Sequence, residues 1–259
     1  MFSYQEWLFQ KTKKSLQVEE SREMILRDSF LSFVYKSHLD RLLTSINLNK
    51  VDSSDLKVIE IGAAGSITKL LKPEVVTLDV REDGNVDLVI SSEDLPFDDS
   101  TVFGVIGKDV FHHIANPEKH LSEVRRILVS GGKCAYIEPN WNIFSRFFYT
   151  LAHPEPWKAT QSEWDFITKD PMYSNQALPW IVFVRDYKKF ETRYPELRLE
   201  VHDMPLLGLS YLLSGGLNRR NRISGKLLSS LYTIEQRHLR YMRIFGLARL
   251  IVLTKLPNT

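Results

Sequence analysis

An α/β fold with a doubly wound, mostly parallel sheet is predicted by three observations. Short apolar runs alternate with helical patterns between residues 57 and 139. A small-residue turn, Gly62-Ala63-Ala64-Gly65-Ser66, joins the first run to the first helix. An acid, Asp79, closes the second run. Together these give the opening half of a nucleotide-binding β-α-β unit, with the turn at a helix N-terminus and the acid positioned to accept from both ribose hydroxyls.

The elements follow in order. Residues 1–50 read as N-terminal helices: Ser3 and Glu6 have capping-box spacing, and Leu39, Leu42, Leu43 and Ile46 recur on one helical face. Residues 51–55 are a polar break, and 58–61 the first strand. Residues 81–85 form a turn and 86–90 a short strand. The run at 102–106 is the next strand, leading into Lys108, Asp109, His112 and His113. Asn116-Pro117-Glu118 starts a helix with an N-cap, a proline at the first helical position and an acid in the first turn. Leu121, Val124 and Leu128 face inward, and Gly131-Gly132 is expected to stop that helix before a strand at 133–137. An aromatic stretch follows, with Trp141, Phe144, Phe147, Phe148, Tyr149, Trp157, Trp164 and Phe166 broken by Pro154, Pro156 and Pro171. It reads as a packed lid and core, with sugar stacking as the sharper alternative. Residues 175–193 read as a helix and 197–202 as a strand. Leu227, Leu231, Ile234, Tyr241 and Phe245 form a helix stripe that includes His238, and 250–256 is the last strand.

One domain is expected over 1–259. It comprises N-terminal helices (1–50), a cofactor-binding core (56–139), lid and substrate elements around one strand (140–247) and a final strand (248–256). Lys and Arg number 34 against 32 Asp and Glu, a net charge of +2 that is too small to imply nucleic acid. The single cysteine, Cys134, excludes an internal disulfide framework and lies in an apolar run, so a reduced thiol and a cytoplasmic location are expected. Gln5, Glu6, Lys11, Lys13 and Lys14 interrupt the apolar residues of the start, so no signal peptide is read there. No apolar run reaches the ~20 residues that span a bilayer. Between Arg219 and Arg249 the basic residues Arg219, Arg220, Arg222, Lys226, Arg237, Arg240, Arg243 and Arg249 face one acid, Glu235. That is a solvated basic face or, more sharply, an attraction to a phosphate-bearing or lipid-linked substrate at an anionic membrane surface.

Four ordered pieces, V-I-E-I-G-A-A-G, T-L-D-V, E-D-L-P-F with D-V-F-H-H-I-A-N-P-E, and S-G-G-K-C-A-Y-I-E-P, resemble the Rossmann-like class I S-adenosylmethionine-dependent methyltransferases of the small-molecule type. The aromatic stretch is similar to members associated with bacterial surface polysaccharides. The resemblance implies S-adenosyl-L-methionine as cofactor and a small-molecule or carbohydrate-type acceptor, such as a sugar hydroxyl on a lipid- or nucleotide-linked precursor. It further implies that Glu60, Gly62, Ala63, Ala64 and Gly65 border the methionine part and that Asp79 holds the ribose. Val80 would pack on the adenine, Ser91 and Ser92 would lie at its edge, and Gly107 and Lys108 would contribute near the methionine end. Two features depart from the family: in the turn, Ala64 and Ser66 stand where glycines are usual, and at the adenine edge Ser91 stands where an aspartate is frequent. An alanine forced to positive φ would cost roughly 1–2 kcal/mol unless Gly65 takes that conformation instead.

Methyl transfer to a hydroxyl needs a proton acceptor. The candidates are His112, His113, Asp109 and Glu138, all at the C-terminal ends of strands, although histidines here more often cap a turn. The adjacent histidines have no evident third ligand partner, so no metal is expected. The competing readings are a non-catalytic methyltransferase-fold binding or partner protein, motivated by the altered turn and Ser91, and a nicotinamide-dependent oxidoreductase, against which the downstream pieces argue.

Overall fold

The computed structural model describes residues 18–47, 57–82, 85–151, 153, 155–166, 173–202, 208–218, 223–238 and 244–257. Among these, seven strands form one sheet: β1 Lys57–Ile61, β2 Val76–Asp79, β3 Leu88–Val89, β4 Val102–Lys108, β5 Leu128–Pro139, β6 Leu197–His202 and β7 Ala248–Lys255. Their order is β3-β2-β1-β4-β5-β7-β6. All neighbours pair parallel except β7, which runs antiparallel to both β5 and β6. The chain leaves β1 toward β2 and returns to its other side as β4, so a crevice opens at the strand ends between β1 and β4.

Alternation along the central strands supplies two cores, because successive side chains point to opposite faces. Ile59, Ile61, Val105, Cys134 and Tyr136 face one layer, with Phe111, Leu121, Trp164 and Phe183. Val58, Ile106, Ala135 and Ile137 face the other. That second face is covered by α2 (Ser29–Ser45), which follows α1 (Val18–Arg27). Leu39, Leu42, Leu43 and Ile46 all point into it, as their spacing predicts. The Asp28 side chain caps α2, accepting from the Phe30 and Leu31 N–H groups.

Several expectations are corrected. The helix after the turn, α3 (Thr68–Leu71), is a single turn, and β3 is two residues long. The helix α4 (Pro117–Ile127) ends before the glycines, because Leu128 is already extended and pairs with Val102. Gly131-Gly132 therefore lies within β5, where Gly131 takes φ 78°. Residues 175–193 form α6 (Leu178–Trp180), a π-turn (Ile181–Arg185) and α7 (Tyr187–Arg193) after α5 (Ile143–Leu151). Asp186 interrupts this run and accepts from the Trp164 indole at 2.8 Å.

The C-terminal helix stripe faces the other way from its prediction. After α8 (Leu209–Ser214), helix α9 (Gly225–Arg237) buries Leu228, Tyr232 and Glu235, leaving Leu227 64 % and Ile234 53 % exposed. The reason is polar: the Glu235 carboxylate accepts from the Ser210 N–H at 2.9 Å and from its hydroxyl, satisfying the first turn of α8. His238 is exposed rather than core, and Tyr241 lies outside the described residues. Ser3, Glu6, Pro154, Pro171 and the arginines at 219, 220, 222, 240 and 243 lie outside them too. No described helix is long and apolar enough to cross a membrane. Cys134 is a free, buried thiol, and burial pushes its pKa up.

Candidate active site

The turn after β1 is tied to the end of β2. The Ala64 N–H donates to Asp79 Oδ2 at 3.0 Å, and Asp79 Oδ1 accepts from the Arg81 N–H at 2.9 Å. Each carboxylate oxygen keeps a further lone pair. Of the small residues in this turn only Gly62 has positive φ, 67°, and a Cβ there would stand 2.3 Å from Val110 Cγ2. Neither Ala64 nor Gly65 takes a left-handed conformation, so alanine at 64 carries no backbone penalty, and the space beside Gly65 is open. Arg22 of α1 reaches across this turn, donating to Ser66 O at 3.1 Å and to Ala64 O. The N-terminal helices are thus part of the site's wall.

Glu60, next to last in β1, is buried at 5 % exposure, with Oε2 lacking a partner. Burial raises its pKa to about 7, against hydrogen bonds from Ser66 and Thr68 that lower it. A buried acceptor with an unused oxygen is what a cationic group of a cofactor would meet. Val80 is 52 % exposed beside Asp79 and offers an apolar surface for a flat ring. These features fit S-adenosylmethionine. Ser91 accepts from the Glu93 N–H, and the Ser92 carbonyl accepts from His120 Nδ1 at 3.1 Å.

Lys108 and Asp109 form an ion pair after β4, with Asp109 at φ 52°. Lys108 Nζ sits 4.6 Å from the centre of the Tyr35 ring on α2. Val110 then packs against both Gly62 and Gly107, joining the β1 turn to the segment carrying the histidines.

Glu138, fully buried at the end of β5, organises that segment. Its Oε1 accepts from the Val110 N–H at 2.9 Å and the Phe111 N–H at 2.7 Å, and its Oε2 lies 2.6 Å from His112 Nδ1. His113 Nδ1 donates to the Tyr173 carbonyl at 3.2 Å. The residue that sequence reasoning missed is Glu155, whose carboxylate lies 3.4 Å from His112 Nε2 and 3.8 Å from His113 Nε2. It follows the aromatic helix α5 at long sequence distance, and no motif marks it. Burial disfavours the His112 imidazolium, but Glu138 and Glu155 outweigh this and raise its pKa to about 10. Burial and the neighbouring His112 push His113 down. Glu155 is buried too, yet its histidine neighbours hold it well below the usual carboxylate range.

His120 supports the same region from α4, accepting from the Tyr136 hydroxyl at Nε2 at 2.6 Å. Burial lowers its pKa from 6.5 to about 4. The folded chain therefore resists a proton that the unfolded chain accepts, and stability falls as pH drops from 6.5 toward 4. The loss is bounded at about 3 kcal/mol. Urea unfolding of the wild-type protein and of His120→Gln should show a stability difference that shrinks on acidification through this window. A pH-independent difference would contradict a buried neutral His120.

A cleft of about 740 Å³ lies elsewhere, between α2 and the β6–β7 side of the sheet, lined by Asp40, Lys133 and Glu200. It contains none of the residues above.

A family model described as a methyltransferase domain matches residues 61–136. An S-adenosylmethionine-dependent methyltransferase from Archaeoglobus fulgidus shares the fold at TM-score 0.50 and 15 % identity, over 98 % of this chain and 100 % of that one. Phosphoethanolamine N-methyltransferase 2 of Haemonchus contortus, solved with phosphomonomethylethanolamine and S-adenosylhomocysteine, is similar at TM-score 0.50 and 12 % identity, over 100 % of this chain and 61 % of that one. No curated protein sequence matches significantly. The matched segment covers the β1 turn, Asp79 and most of β5, so residues 61–136 form a methyltransferase domain, and the two solved methyltransferases share the fold of the chain.

Proposed function

We propose that the protein methylates a hydroxyl of a small, carbohydrate-type acceptor carried on a lipid- or nucleotide-linked precursor. The observation that carries this reading is the cluster of His112, His113 and Glu155, on the segment that Val110 joins to the β1 turn. Bound S-adenosylmethionine supplies an electrophilic methyl group on a sulfonium. In this reading Asp79 accepts from the ribose hydroxyls, Val80 packs on the adenine with Ser91 and Ser92 at its edge, and Glu60 faces the cationic methionine end. Gly107 and Lys108 contribute backbone near the methionine end.

Alignment of the acceptor oxygen with the methyl carbon is the protein's main task, and orientation of this kind supplies about 7–11 kcal/mol. The acceptor hydroxyl would give up its proton to His113, whose pKa is pushed down, while His112 stays charged between Glu138 and Glu155. Glu138 is fully buried behind His112 and is bonded to the Val110 and Phe111 N–H groups and the His112 ring. We assign Glu138 to holding the histidine segment and not to touching substrate.

A lipid-linked acceptor is supported by one face of α5, where Ile143, Phe147 and Leu151 are 86 %, 64 % and 50 % exposed at successive turns. Incubating the protein with methyl-labelled S-adenosylmethionine and separated glycolipid, sugar-nucleotide, protein and RNA fractions tests the reading. Label should enter an acid-stable O-methyl sugar in one of the first two. Label confined to protein or RNA would overturn it.

A further inference from the structure

We infer that His112, His113 and Glu155 form a binding site for a divalent transition-metal ion. Their three donor atoms lie within 4.8 Å of one another, and the two imidazole rings stand 4.4 Å apart. The separations from Glu155, 3.4 and 3.8 Å, are long for charge-assisted hydrogen bonds, which run at about 2.7–2.9 Å, yet all three groups point at a common place.

Outer partners fix each donor. Glu138 takes the Nδ1 side of His112, and the Tyr173 carbonyl takes Nδ1–H of His113, so both Nε2 atoms are turned toward Glu155. The Gln176 amide donates to Glu155 Oε2 and orients that carboxylate. A carboxylate or carbonyl behind each ligating histidine is the usual support of a metal site, because it sets tautomer and ring angle. A divalent ion would displace the proton that His112 holds between Glu138 and Glu155 and take over the balance of those two carboxylates.

Two imidazoles and one carboxylate suit zinc, cobalt, iron or manganese rather than the all-oxygen preference of calcium or magnesium. Three protein ligands leave positions open for a ligand from solvent. His113 and Glu155 are about one-fifth exposed, so an ion can reach them, whereas His112 is buried at the back. Cation binding stands on these residues alone. Its use, holding an acceptor oxygen and lowering that oxygen's pKa in place of direct proton transfer to these side chains, rests on the function proposed above.

Untagged, metal-stripped protein titrated with Co²⁺ should show a visible d–d absorption that saturates at one equivalent. His113→Ala and Glu155→Gln should each weaken binding at least about tenfold, since even loss of an outer partner costs ~10–100-fold. Circular dichroism and S-adenosylhomocysteine binding report whether each variant is folded and keeps its cofactor site. Should either variant unfold, Mn²⁺ added to the wild-type protein must broaden the His112 and His113 ring resonances before those of His120 and His38. No saturable band, equal affinity in both folded variants, or broadening elsewhere first would overturn the site. Metal binding without S-adenosylhomocysteine binding would instead count against the methyl-transfer reading alone.

Discussion

A Glu60→Gln variant keeps its stability as pH rises to about 8, whereas the cofactor-free wild-type protein loses up to about 3 kcal/mol relative to it. The Glu60 pKa is raised from 4.5 to about 7 in the fold, with burial the main cause. A raised folded pKa means that the stabilising contribution is present below 4.5 and disappears as pH climbs through about 7. Above that, the folded chain carries a buried charge that the unfolded chain solvates. Urea unfolding of both proteins across this window reads the effect, and parallel curves would contradict it. A cationic ligand beside Oε2 favours the ionised form, so saturating cofactor should remove most of the difference. The same substitution should weaken cofactor binding about 10–100-fold, the weight of a hydrogen bond to a charged group.

Gly62→Ala is the second large effect. An alanine at φ 67° costs about 1–2 kcal/mol of backbone strain. Its Cβ also meets Val110 Cγ2 at 2.3 Å and Val110 Cβ at 2.6 Å, and overpacking of this kind costs about 1–3 kcal/mol. Val110 cannot yield freely, because its N–H is bonded to Glu138, which also holds His112. A total of about 2–5 kcal/mol corresponds to a melting temperature roughly 4–20 °C lower in a chain of this size. Val110→Ala in the same background should recover only part of this, since the Cβ contact and the strain persist. Full recovery would show that methyl crowding alone is at work.

The parallel core was legible because buried strands and their turns are local: 58–61 and the acid at 79 fall where the spacing put them. Asn116 and Pro117 mark a helix start through groups within three residues. What failed was decided at long range. The α9 stripe is overturned by one carboxylate, Glu235, finding the first turn of α8. Gly131-Gly132 carries a stop signal, yet Leu128 had already been drawn into the sheet by Val102. In the site, Glu60, Asp79 and the histidine pair were visible as residue types at strand ends. Glu155 was not, because its meeting with His112 depends on the fold of the aromatic segment. The two departures from the family turn looked costly by position, but the only positive φ in that turn falls on Gly62, which is a glycine already.

Isothermal titration of the untagged protein with S-adenosylmethionine and S-adenosylhomocysteine tests the central claim most directly. The account predicts saturable one-to-one binding of both, weakened about 10–100-fold in Asp79→Ala, where an acceptor for the ribose is lost. Absence of heat at about millimolar ligand, or affinity unchanged in a folded Asp79→Ala protein, would contradict it.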